Sequence, residues 1–206
     1  MATNRIERAT ASRQGPGDPL PEQSPDHEFC DLVLGLRDTA ARLIDRRLVK
    51  LFRWDPSEHA RVERWFGRAD EEMRDYLYRG LGSCHFLLLE LTCANFVRYS
   101  PDWGTNVGCA AAGDKAEPVA QVCPTDKKRT IAINEGFFQL LRISPSKDSQ
   151  LSTLIHEVTH FRDTFDSKDL RYGLNGARYF TSVPQLARVN ADNLAGYVVE
   201  GVVYGD

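Results

Sequence analysis

Ser152-Thr153-Leu154-Ile155-His156-Glu157-Val158-Thr159-His160 is an HExxH stretch set in an amphipathic, helix-forming run. Two His four positions apart lie on one face of a helix, where both imidazoles can reach one zinc ion. Glu157, beside the first His, then reaches a water at that metal. This is the core of a zinc peptidase, and it makes His156 and His160 the first two candidate ligands and Glu157 the candidate general base. The expected mechanism follows from the ligand set: zinc lowers the pKa of its water, Glu157 takes the proton as the water attacks a peptide carbonyl, and the proton passes to the leaving amine.

A catalytic zinc takes three protein ligands and keeps a fourth position open. Downstream of His160 three carboxylates compete for the third place. Glu200 is the first Glu after Glu157. Asp166 stands where an HExxHxxGxxH pattern puts its last ligand, but position 163 is Asp163 instead of the Gly that lets the chain turn back sharply. Asp169, nine residues after His160, is the third, and it precedes Leu170-Arg171-Tyr172-Gly173.

The segment HEVTHFRDTFDSKDLRYG resembles the signature of the deuterolysin family, the aspzincins, and most closely its peptidyl-lysine metalloendopeptidase branch. In that family HExxH is followed by Gly-Thr-x-x-Asp-x-x-Tyr-Gly, whose Asp is the third zinc ligand. The resemblance therefore implies Asp169 as ligand, Tyr172 as the tyrosine beside the substrate carbonyl, where its hydroxyl would stabilise the oxyanion, and Gly173 as the turn glycine. The Gly-Thr pair is replaced here by Asp166-Ser167. Weaker similarities extend over residues 55 to 200: Arg64-Trp65-Phe66-Gly67, the stretch Thr130 to Phe138, and Asn190-Ala191-Asp192-Asn193. In the lysine-specific relatives the Asp of Asn-Ala-Asp and an acid three residues later receive the lysine that follows the scissile bond. This chain has Asp192 for substrate binding but Ala195 at the second position, which implies a basic preference without strictness. Asp163 and Asp192 are also candidates to orient a ligand imidazole.

The rest of the chain is consistent with an enzyme domain. Its 206 residues, 42% of them apolar, suffice for a sizeable core, and a net charge of −3 excludes the basic footprint of a nucleic-acid binder. The longest apolar run, around Phe86 to Leu91, is too short to cross a membrane. Residues 1–27, rich in Pro and Gly among polar neighbours, read as a disordered leader, and residues 28–206 as the catalytic domain. No apolar signal segment is visible, so the expected setting is cytoplasmic or export by a specialised route, as for a bacterial effector or toxin domain with a delivery or immunity partner.

Periodicity predicts helices over 28–52, 57–79 and 83–96, with Gly80 and Gly82 as breakers, an active-site helix over 148–166 and a closing helix over 184–199. Strands are expected at 119–122 and 130–133. The fold class is α+β, predominantly helical, and the resemblance makes it zincin-like, with a small antiparallel sheet over the HExxH helix. Five Cys without a CxxC pair argue against a cysteine zinc site and leave open a Cys109–Cys123 disulfide or free thiols. His27, His59 and His85 lie far from the motif. The function classes that remain are a zinc endopeptidase acting on a protein or peptide substrate, a zinc hydrolase of a non-peptide amide, and a non-catalytic zinc module, which the presence of Glu157 disfavours.

Overall fold

A computed structural model describes residues 27–109 and 118–202. The expected leader lies, apart from His27, outside the described residues.

Helix α1, His27–Arg53, follows the predicted span to within a residue, and its stripe of Val33, Leu36, Ala40, Leu43, Ile44 and Leu51 faces the core. The long helix expected after it is instead two. Asp55 caps α2, Pro56–Phe66, by accepting the Ser57 and Glu58 amides at 3.0 and 3.1 Å. Gly67 then ends α2 in a left-handed conformation, φ 67°, with its amide on the Glu63 carbonyl. A side chain there would run into the Thr181 carbonyl, so Gly67 serves both the turn and a close backbone approach. Asp70 restarts the chain as the cap of α3, Glu71–Glu90, accepting the Met73 amide at 3.0 Å.

Gly80 and Gly82, expected to break a helix, lie inside α3. Gly80 is there because the Phe165 ring packs where its Cβ would be. Packing outweighs the helix-propensity cost of glycine, which is only about 1 kcal/mol.

Three short strands follow: β1, Phe96–Arg98, β2, Ala120–Val122, and β3, Ile131–Ile133. Their order is β1-β3-β2. The β2–β3 pair is antiparallel, as expected, while β1 joins β3 in parallel, which makes the sheet mixed. The short helix α4, Trp103–Asn106, lies between β1 and β2 in the chain. Disulfides join Cys109 to Cys123, the pairing left open by the sequence, and Cys30 to Cys93, which ties α1 to the chain after α3. Cys84 is a buried free thiol.

The HExxH helix α5, Gln150–Thr159, is buried along its whole length, packed among α1, α3, β2 and a closing helix. A reciprocal cap starts it: Ser149 Oγ accepts the Ser152 amide and Ser152 Oγ accepts the Ser149 amide. It stops well before the expected residue 166. Thr164 Oγ1 donates back to the Val158 carbonyl at 2.8 Å, the Phe161 carbonyl accepts the Thr164 and Asp166 amides, and Asp166 turns the chain at φ 47°. Asx residues tolerate this left-handed region better than most, so Asp166 does the work of the glycine in the family pattern.

The predicted closing helix is also divided. After α6, Leu174–Ala177, come α7, Pro184–Ala187, and α8, Ala191–Val199. Gly196 of α8 receives the Trp65 ring, whose nearest atom would lie 2.1 Å from an added Cβ. Trp65 is buried and Arg178 covers its face, so the ring has no room to retreat. Gly196→Ala should therefore destabilise the protein by about 2 kcal/mol net of its propensity gain, read as a lower urea midpoint at unchanged slope.

Candidate metal centre

Helix α5 supplies two imidazoles from one face. The Nε2 atoms of His156 and His160 lie 3.1 Å apart, and Asp169 Oδ1 is 3.0 and 3.1 Å from them. A tetrahedral ion with bonds of about 2.0–2.1 Å sets its ligand atoms roughly 3.3–3.4 Å apart, so this trio fits zinc with a slight opening. Two imidazole nitrogens and one carboxylate are also the donor chemistry zinc selects.

The competing carboxylates are elsewhere. Asp166 is exposed and pairs with Lys168, 3.1 Å away. Glu200 is held by Arg61 and Arg64 at 3.2 and 2.8 Å. His59 packs on the Trp54 ring, away from the centre.

What holds the ligands in place was only partly expected. Asp192 Oδ1 is 2.7 Å from His156 Nδ1, and its Oδ2 accepts the Gly173 amide at 2.6 Å. His160 Nδ1 faces the Ser167 carbonyl at 3.0 Å and the Ser167 hydroxyl at 3.1 Å. Asp163, a sequence candidate for orienting an imidazole, instead pairs with Arg129 on the surface. With each Nδ1–H donated to an acceptor, each Nε2 lone pair is directed at the metal position.

Asn190 and Asn193 flank Asp192 in the Asn-Ala-Asp-Asn stretch. Asn190 Oδ1 accepts the amides of Leu170 and Arg171, which fixes the loop just beyond Asp169. Asn193 donates to the Trp65 and Ala177 carbonyls and so anchors α8 to α2 and α6. Every polar residue of the Asn-Ala-Asp-Asn stretch thus positions the centre.

The electrostatics match these contacts. Burial works against charge on Asp169, yet hydrogen bonds from both imidazoles hold its carboxyl well below the usual range. Burial likewise opposes protonation of His156 and His160, but Asp169 hydrogen-bonds both, Asp192 also holds His156, and both imidazoles are raised. Glu157 has its carboxyl raised by burial, with the two imidazoles acting in the other direction. Tyr172 is 68% exposed and its ring stacks over His156 at 6.5 Å. Partial burial and the Asp169 carboxylate push its phenol up to about 12, so it carries its proton at neutral pH.

These groups line one cleft of 890 Å³, with β2 along one side and Asp148, Thr153, Gly173 and Asp192 along another. Asp192 reaches this cleft with both oxygens already engaged. Ala195 does not line it and is completely buried.

The family model described as lysine-specific metallo-endopeptidase, the aspzincins, matches residues 52–199. Among solved structures, a zinc peptidase from Grifola frondosa superposes with a TM-score of 0.64 at 21% identity, over 84% of this chain and 95% of that one, a likeness of fold. No match was found among curated proteins. Because the family match runs from the end of α1 through the zinc-site helix to the last residue of α8, the chain belongs to the aspzincin family and is a zinc metalloendopeptidase.

Proposed function

We propose that this enzyme cuts extended polypeptides within their length, prefers a basic residue immediately after the scissile bond, and works outside a reducing cytosol. The observation that carries the first two points is the cleft itself. Strand β2 ends the sheet order and borders the cleft, so a substrate strand can add to its free edge, while the acidic wall at Asp192 and Asp148 lies on the side of His156 and Gly173.

Zinc, when bound, supplies a Lewis acid that acidifies water and polarises the scissile carbonyl. The chain's own residues do the rest. Glu157 takes a proton from the attacking water as the carbon–oxygen bond forms, and gives it to the amine as the carbon–nitrogen bond breaks. Its burial raises the carboxyl toward the operating pH, which suits a group that must both accept and return a proton. Tyr172 donates its hydroxyl to the developing oxyanion. Asp192 and Ser167 keep the imidazoles from rotating.

The two disulfides support the third point, since such bonds persist in oxidising compartments and are rare in the cytosol. An exported effector or toxin domain, with its own delivery or immunity partner, is the setting we propose.

Mapping the cuts that the zinc-loaded enzyme makes in a reduced, denatured protein tests the reading. Internal cuts enriched before Lys and Arg are expected, with other residues also accepted. Trimming from chain ends alone contradicts an endopeptidase, and internal cuts without basic enrichment contradict the preference.

A further inference from the structure

Ala195 offers no charge and no access to the cleft, yet the cleft contains a second carboxylate from a different element. Asp148 stands in the chain just ahead of the Ser149 cap of α5 and lines the same wall as Asp192. The two acids grip consecutive peptide units: the Gly173 amide donates to Asp192 Oδ2 at 2.6 Å and the Leu174 amide to Asp148 Oδ1 at 2.9 Å. Asp148 Oδ2 lies 3.4 Å from the point where a Cβ on Gly173 would stand, so the glycine leaves that oxygen open toward the cleft. Thr153, in the first turn of the metal helix α5, lines the same cleft. It is only 8% exposed, and no hydrogen bond joins its hydroxyl to another of the described residues. A hydroxyl at the cleft that no side chain engages is free to accept from a ligand.

We propose that Asp148 is a specificity-determining residue, the second acid of the pocket for a basic side chain, with the Thr153 hydroxyl as a further acceptor for the cation. This rests on the basic preference proposed above and names the residues behind it. An ammonium entering the pocket donates a charge-assisted hydrogen bond to Asp148 Oδ2 and lies in the field of Asp192, whose oxygens are already committed to His156 and Gly173. Because Asp148 is exposed, the gain is partial, which fits a preference without exclusivity.

The test compares kcat/KM for two peptides that differ only after the scissile bond, one with Lys and one with norleucine, a chain of similar length without the charge. Asp148→Asn keeps the acceptor for the Leu174 amide and removes the charge. It should lower the Lys-to-norleucine ratio about tenfold while bound zinc stays at the parent's level. A parent ratio well above one that Asp148→Asn leaves unchanged overturns the assignment of Asp148 alone. A parent ratio near one overturns both the basic preference and this assignment. Should Asp148→Asn fail to fold, Asp148→Glu keeps the charge but extends it into the pocket, and should shift preference from lysine toward the shorter ornithine; no shift overturns the proposal.

Discussion

Glu157→Gln should lower peptide hydrolysis by about 10²–10⁴-fold, a barrier increase of roughly 3–5 kcal/mol, with bound zinc at the parent's level. The substitution keeps the size and shape of the side chain and leaves His156, His160 and Asp169 in place. Loss of stability is not expected to confuse the result. Burial raises the Glu157 carboxyl, so the folded state disfavours its charge, and a neutral isostere there is neutral or mildly stabilising. Activity near the parent's in a zinc-replete variant would contradict the role given to Glu157.

The second large effect concerns the third ligand. Asp169→Ala should weaken zinc binding several hundredfold, since structural zinc sites bind with about 10–16 kcal/mol and one of three or four ligands carries roughly 3–4 of it. Asp166→Gly is the matched control. It removes the carboxylate competing in the sequence but keeps the left-handed backbone at φ 47°, where glycine is at home. Its zinc content, measured by competition with a chelator, should equal the parent's. The opposite pattern in the two variants would place the ligand at Asp166.

The chemistry of the site was legible because it is local. Two His on one helix face and an Asp nine residues on carry their roles in sequence spacing, and the structure brings those three side chains together. Geometry fixed at longer range was not legible. The end of α2 at Gly67 depends on Thr181, more than a hundred residues away, and the tolerance of Gly80 within α3 depends on Phe165. Strand β1 exists because β3 pairs with it, and its first residue, Phe96, continues the helical spacing read over 83–96. Position 163 offered a carboxylate near His160 in sequence, but the chain turns after α5 so that the Ser167 carbonyl faces the imidazole and Asp163 points to Arg129. Backbone carbonyls leave no mark in a sequence, which is why this partner of His160 had no signal to find. The Cys30–Cys93 disulfide was hidden in the same way, since its pairing follows from α1 packing along α3.

The most direct test of the account is anomalous diffraction at the zinc edge from crystals of the zinc-loaded enzyme. A single strong peak about 2.0–2.2 Å from His156 Nε2, His160 Nε2 and an Asp169 oxygen is the predicted result. A peak coordinated by Asp166 or Glu200 in place of Asp169, or no peak between the two imidazoles, would contradict it.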